Sequence, residues 1–357
     1  MTTISWTEAT WNPIIGCSVT SPGCTNCYAM RDAWRKEHNP RLPAYSGLVT
    51  RGPNGNKPPV WTGKVAWNSQ AAVMAPLKRR KPTMWFVNSM GDLFHPAVPD
   101  EWLDRVFAIM ALCPQHTFQI LTKQAERMRE YLVGDDLSDR LNFEIEQIAF
   151  DHSDPHARRS DDLRATAPTI DEDYWPIPNV WLGVSAEDQI RADKRIPHLL
   201  NTPAAVRFVS AEPLIGPLDL ARLFHDHPAH TDALRGMYVG ERGQIETAKL
   251  DWVIVGGESG PGARPMHPNW ARSIRGQCAA AGVPFHFKQW GEWVPPSSET
   301  DDTIELTLAN IAGASRDARE WLDRDGWPTM ARVGKKAAGR LLDGQTHDGF
   351  PVRGRGA

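Results

Sequence analysis

Val180-Trp181-Leu182-Gly183-Val184, running straight into Ser185-Ala186-Glu187, is a short apolar run that stops on a hydroxyl and a carboxylate. A run of this length bounded by polar residues reads as a buried strand. The same form recurs along the chain. Met84-Trp85-Phe86-Val87 leads into Asn88-Ser89-Met90-Gly91-Asp92, and Thr117-Phe118-Gln119-Ile120-Leu121 into Thr122-Lys123. Val206-Arg207-Phe208-Val209 leads into Ser210-Ala211-Glu212-Pro213, Trp252-Val253-Ile254-Val255 into Gly256-Gly257-Glu258-Ser259-Gly260, and Pro284-Phe285-His286-Phe287 into Lys288-Gln289-Trp290-Gly291. With Ile14-Ile15 as the first, seven strands are expected. Helical patterns separate them, as at Glu101 to Leu112, where Trp102, Leu103, Val106, Ile109 and Met110 share one face, and at Asn269 to Ala281.

Strand and helix in alternation give an α/β fold with a parallel sheet. Two architectures satisfy this: a doubly wound open sheet, and a partial or near-closed parallel (β/α) barrel of six to seven units, TIM-like in plan. The polar residues that close nearly every strand favour the barrel, because a barrel collects its chemistry on one rim. The barrel is expected over 1–293, with an acidic insertion at about 134–178 that includes His152 and His156, and a C-terminal extension at 294–357 packed on it. Histidines in a hydrophilic loop are read as solvated rather than metal-binding. The segment from Pro43 to Trp67, rich in Gly, Pro and Asn, reads as turns with a short hairpin.

Ahead of the array stands Trp11-Asn12-Pro13-Ile14-Ile15-Gly16-Cys17, continuing to Ser21-Pro22-Gly23-Cys24-Thr25-Asn26-Cys27-Tyr28. Three of the chain's five cysteines fall here at C-x6-C-x2-C spacing. Pro22 and Gly23 let the longer gap fold back, so the thiolates can converge. Structural zinc sites and ferredoxin clusters close with four protein ligands. Three cysteines with no nearby histidine therefore suggest a cluster with one corner left open; a zinc site completed by a distant residue, or a loop of unliganded thiols, are the other readings. Tyr28 to Glu37 follows as a helix that ends before Asn39-Pro40. Cys113, before the third strand on the far face, and Cys278, in a helix whose apolar face makes it ordinary core, both lie away from this loop.

The 357 residues carry a formal net charge of −3, with a pI near 6.5. There is no global case for a polyanion partner, and a nucleic-acid contact would need a local patch; Lys78-Arg79-Arg80-Lys81 is one such basic run, read first as solvated surface. No basic leader precedes an apolar run and no stretch of about 18 apolar residues occurs. A cytoplasmic protein without membrane contact is expected, in a bacterium or a phage-infected host cell, where thiols serve metals. Fifteen tryptophans are expected mostly in the core.

Cysteines placed after the first strand of such an array resemble those of radical S-adenosylmethionine (SAM) enzymes. More closely, Trp11-Asn12-Pro13, Gly16-Cys17, Cys24-Thr25-Asn26-Cys27-Tyr28, Trp61-Thr62-Gly63-Lys64-Val65, Phe86 to Phe94 and Val255 to Gly260 resemble the phage Gp37/Gp68 family, DUF5131, also described as three-Cys-motif proteins. The cysteine segment is distantly similar to spore photoproduct lyase. The resemblance implies a 4Fe-4S cluster on Cys17, Cys24 and Cys27, with SAM on the fourth iron, cleaved reductively to a radical that abstracts hydrogen from a substrate. It departs in one respect: the commonest spacing in the superfamily is x3 then x2.

SAM offers an ammonium, a carboxylate and ribose hydroxyls. On that basis Ser89 and Asp92 are expected to take the ammonium, Lys123 the carboxylate, and Ser185 or Glu187 the ribose. Glu258 and Glu212 are expected on the rim near adenine or substrate; Gly256-Gly257-Glu258 has the letters of the superfamily's SAM motif but ends the sixth strand, where that motif ends the second. Tyr28 is the redox-capable phenol beside the cluster, expected chiefly to pack against it or SAM. A nucleic-acid base or nucleoside is the favoured substrate, an electron donor such as flavodoxin or ferredoxin is implied, and a partner protein is possible. The rival expectation is a phage-encoded, zinc- or cluster-stabilised binding module acting with a partner and without catalysis.

Overall fold

Seven segments form one sheet in the computed structural model, which describes residues 4–51, 57–150, 166–224, 229–295 and 330–351. They are β1 (Ala9–Trp11), β2 (Met84–Val87), β3 (Thr117–Thr122), β4 (Val180–Ser185), β5 (Val206–Ala211), β6 (Trp252–Gly256) and β7 (Phe285–Gln289). Their spatial order is their chain order, and every neighbouring pair is parallel. A doubly wound sheet must reverse its order at a switch point, so the architecture is a singly wound parallel half-barrel.

The first strand differs from expectation. Ile14–Ile15 pairs antiparallel with Ala66–Trp67, and the less apolar Ala9–Trp11 takes the place beside β2. Pro13 has no N–H to give a ladder, and Gly16 at φ +97° turns the chain across the top of the sheet. The expected hairpin is present as Val49–Thr50 against Val60–Trp61.

Between β1 and β2 lies α1 (Tyr28–Glu37). The later connections carry α2 (Asp100–Ala111), α3 (Ala125–Leu132) with α4 (Leu137–Phe150), α5 (Gln189–Leu200) and α6 (Pro268–Ala281). Helix α5 starts on Asp188, whose carboxylate accepts the Arg191 N–H at 3.0 Å. Helix α6 starts with Pro268 and ends at Gly282 in the left-handed conformation, φ +68°. The β5–β6 connection breaks the alternation. It carries a four-stranded antiparallel sheet, Leu223–Phe224, His230–Asp232, Met237–Gly240 and Gly243–Glu246, where a helix was expected.

The expected insertion contains α4, which buries Leu137, Leu141, Ile145 and Ile148 in the main core. It is tied to α2 by an Arg105–Glu144 ion pair at 3.1 Å and by Arg140 on Asp104 at 3.2 Å. His152 and His156, and the span 296–329 of the C-terminal extension, lie outside the described residues.

Alternation along the strands sorts the two faces. Val87, Ile120, Leu182, Val184, Val209, Val253 and Val255 pack outward under the helices. Phe86, Trp181, Phe208, Trp252 and Ile254 point inward and, with Trp6, fill the lower half of the concave face. Trp6 and Phe86 meet edge to face at 4.7 Å. Gly183 is obligatory, since a Cβ there would stand 2.4 Å from the Phe208 ring.

Both ends of the described chain close this floor. The C-terminal segment runs antiparallel along β7, with Phe287 N–H on His347 O at 2.9 Å and Gly349 N–H on Phe285 O at 3.0 Å. It lays Phe350 on Trp252 at 4.6 Å, and Ser5 Oγ meets His286 Nε2 at 2.9 Å. No helix among the described residues is long and apolar enough to cross a membrane.

Candidate functional site at the open rim

The rim is organised where the loops after β1 and β2 cross. Trp11 O accepts the Asn88 N–H at 2.7 Å. Asn12 Oδ1 accepts the Met90 N–H at 2.8 Å and the Ser89 hydroxyl at 3.2 Å. Gly16 and Gly91 pass backbone to backbone: a Cβ on Gly16 would fall 2.2 Å from Lys64 O, and one on Gly91 would fall 2.8 Å from Gly16 O. The two glycines therefore bring the cysteine loop onto the sheet's C-terminal edge.

Beyond this crossing, Cys17 is half-buried, Cys24 closes the 3-10 turn Pro22–Cys24 and is buried, and Cys27 is the N-cap residue of α1. All five cysteines are free thiols. Burial, then Asp92, then the two neighbouring cysteines push the Cys17 thiol far up. Burial also raises Cys27, opposed by the Ala29 N–H and, more weakly, by Lys123. At Cys24 burial works upward too, but Lys123 and hydrogen bonds from Thr20 and Ser21 outweigh it, and the thiol falls below its ordinary value. The three sulfurs thus lie within each other's field. Among the described residues no three His, Cys, Asp or Glu side chains converge into a ready-made metal-holding group.

Two buried ion pairs clamp the loop, one from each side. Glu187, without exposed surface, receives Arg195 Nη1 at 2.8 Å on one oxygen and the Gly23 N–H at 3.3 Å on the other. Burial would raise its carboxyl, but Lys123 and Arg195 together hold it below the usual range. On the other side Glu258 meets Arg264 at 2.6 and 2.9 Å. Asn26, between Cys24 and Cys27, donates to Glu258 at 3.0 Å and to Gly262 O at 2.8 Å, and Arg264 reaches back to Pro22 O at 2.9 Å. Bidentate guanidinium pairing of this kind fixes direction as well as distance.

Each expected site residue falls at the C-terminal end of its strand or in the loop above it. Ser89 donates its hydroxyl to Asn12, and its carbonyl accepts the Tyr28 phenol hydroxyl at 3.2 Å. Asp92 accepts Thr122 Oγ1 at 2.6 Å and the Lys123 N–H at 2.9 Å. The Lys123 ammonium, half-buried and near Cys24, Cys27 and Glu187, makes no hydrogen bond among the described residues. Ser185 is buried below Glu187, and its carbonyl accepts Arg195 at 2.8 Å. Glu212 pairs with Lys288 at 2.7 Å. Burial of the Tyr28 hydroxyl, with Cys27 adding to it, raises the phenol above its ordinary range, while the residue as a whole is 52% exposed.

Other features stay apart. Cys113 and Cys278 are buried before β3 and within α6. The exposed run Lys78 to Lys81 precedes β2 and so lies at the opposite end of the sheet from the cysteines. Sequence reasoning missed Arg195, Arg264 and Lys288, although an arginine eight residues after Glu187 and another six after Glu258 were the available signal. It also missed His95, whose Nε2 lies 2.8 Å from Ser18 Oγ while Nδ1 accepts the Ala97 N–H.

No curated protein and no solved structure matches the chain. The family model described as a protein of unknown function, DUF5131, matches residues 1–351, and the chain belongs to that family.

Proposed function

We propose that the protein is a radical SAM enzyme, with a 4Fe-4S cluster on Cys17, Cys24 and Cys27 and SAM held between that loop and the ends of β2 to β4. The observation that carries this reading is the double clamp: two buried ion pairs hold a three-thiol loop over the open rim of a singly wound half-barrel. The donor set suits the group, because three soft thiols with no fourth cysteine beside them among the described residues, and with the nearby His95 engaged by Ser18 and the Ala97 N–H, leave one metal position for an exogenous ligand. When bound and reduced, the cluster and SAM supply an alkyl radical that abstracts hydrogen.

The chain's own residues position and enclose. Glu187 with Arg195, and Glu258 with Arg264 and Asn26, keep the loop over the mouth. Lys123, a cation without a hydrogen-bond partner among the described residues, suits SAM's carboxylate. Ser89 and the lone pair left on Asp92 Oδ2, whose Oδ1 is taken by Thr122 and the Phe94 N–H, suit its ammonium, and Ser185 a ribose hydroxyl. Glu187 works as an anchor in this scheme, which leaves the ribose to Ser185. An electron donor of flavodoxin or ferredoxin type approaches the cysteine side. A nucleic-acid base or nucleoside remains the preferred substrate, but the basic run at 78–81 gives it no support, being at the far end of the sheet.

Anaerobic reconstitution tests the cofactor. About four irons and four sulfides per chain are expected in the wild type, and almost none in Cys24→Ala. Stoichiometric zinc without iron would favour the non-catalytic binding module instead.

A further inference from the structure

On the side of the mouth away from Asp92 and Lys123, the ends of β5 and β7 turn two charged side chains inward. Phe285 and Phe287 face the outer core, and Lys288 is the extra residue where the β6–β7 register shifts between Phe287 and Gln289, which turns its side chain toward the end of β5. Its ammonium lies 2.7 Å from Glu212 Oε1 and 2.8 Å from Oε2. Gly256 makes room for the carboxylate: a Cβ there would stand 3.2 Å from Glu212 Cδ. Gln289 donates to the other carboxylate oxygen, Oε1, at 3.3 Å. The two side chains keep 15% and 17% of their surface exposed, so a molecule in the mouth can reach them.

Their hydrogen-bonding capacity is not used up. An ammonium has three protons; Lys288 gives one to Glu212 Oε2 and lies in ion-pair contact with Oε1, so at least one proton stays free, and among the described residues Oε2 accepts from Lys288 alone while having room for a second donor. What remains is one donor beside one acceptor. Tyr28 supplies an independent feature. Its hydroxyl is pinned to Ser89 O, its ring is the half-exposed one at the start of α1, and Glu212 lies within electrostatic reach of its phenol. A fixed aromatic ring with an open face is a stacking platform for a planar group.

We propose that Glu212 and Lys288 recognise a planar heterocycle presenting an N–H beside a carbonyl, the lactam edge of a uracil- or guanine-type base, stacked against Tyr28. Glu212 accepts the ring N–H and Lys288 donates to the carbonyl. This assignment rests on the mouth being the reaction centre, but its test needs no iron. Binding of uridine and guanosine to the full chain is measured by calorimetry beside their ring-N-methylated forms, N3-methyluridine and N1-methylguanosine, which keep the carbonyl and lose the donor. In at least one pair, methylation is expected to weaken binding about tenfold or more, and Lys288→Met to weaken the unmethylated nucleoside by a similar factor. Repeating the comparison with the base inside a single-stranded oligonucleotide distinguishes a strand from a free nucleoside as its source. Equal binding within both pairs, or no binding by either nucleoside or oligonucleotide, overturns the proposal, and the methylated ligands decide it even if Lys288→Met fails to fold. Discrimination without radical chemistry would overturn the proposed reaction while leaving the recognition pair intact.

Discussion

Glu187 and Arg195 are a pair whose loss should be felt at once, because neither side chain is more than 6% exposed. Removing one partner from a buried ion pair strands the other charge, at about 3–5 kcal/mol. Arg195→Met is accordingly expected to lower the unfolding free energy by that order in urea titrations at neutral pH; a change under about 1 kcal/mol would show that the clamp is not under load. The cysteines divide in the same residue-level way. Cys24→Ala should lose iron, whereas Cys278→Ala should keep it, since burial pushes that thiol up to about 12 and makes it inert. What could be read at this scale was the chemistry lying contiguous in sequence: the cysteine spacing and the polar residue closing each strand. The arginines that complete Glu187 and Glu258 were not legible. Whether Arg195 turns back toward the strand end or out to solvent is set by the rotation of α5 on the sheet, which a residue count does not fix.

Among the elements, β4 and β5 depend on a missing side chain. Gly183→Ala places a methyl group 2.4 Å from the Phe208 ring, which is itself packed against Trp6 and Trp252. The expected loss is about 1–3 kcal/mol, read as a lower midpoint in thermal unfolding, with an unchanged midpoint as the contrary result. Six of the seven strands were legible because each is an apolar run with a polar stop. The first was not. Ala9-Thr10-Trp11 is short and mixed, while Ile14-Ile15 carries the stronger apolar signal, and only the Pro13 break and the Gly16–Gly91 crossing decide which of them joins the sheet. The β5–β6 connection escaped for a related reason. Rhythm elsewhere argued for a helix, and the antiparallel pairing of Met237–Gly240 with Gly243–Glu246 turns on two glycines at the hairpin tip.

Across the described residues, the aromatic floor covered by Trp6 at one end of the chain and Phe350 at the other makes the half-barrel a cup that opens at the cysteine rim. His286 sits in that floor without exposed surface, and burial, reinforced by Arg340, depresses its pKa to about 4. The folded state thus holds it neutral where the unfolded chain binds a proton. Its contribution is fully present above about pH 6.5 and is lost as pH falls toward 4, amounting to about 3 kcal/mol at the lower end. His286→Gln, which can keep a hydrogen bond to Ser5, should flatten the fall in urea-unfolding stability between pH 6.5 and 4.5; an identical pH profile in the variant would rule this histidine out. The cup also gives the proposed chemistry its geometry, with the thiol loop above and the strand ends below. Its central claim is tested most directly by supplying the anaerobically reconstituted protein with SAM and a strong reductant and measuring 5′-deoxyadenosine and methionine. Release of both is expected from the wild type and of neither from Cys24→Ala. A fully loaded 4Fe-4S protein that leaves SAM intact under those conditions would contradict it.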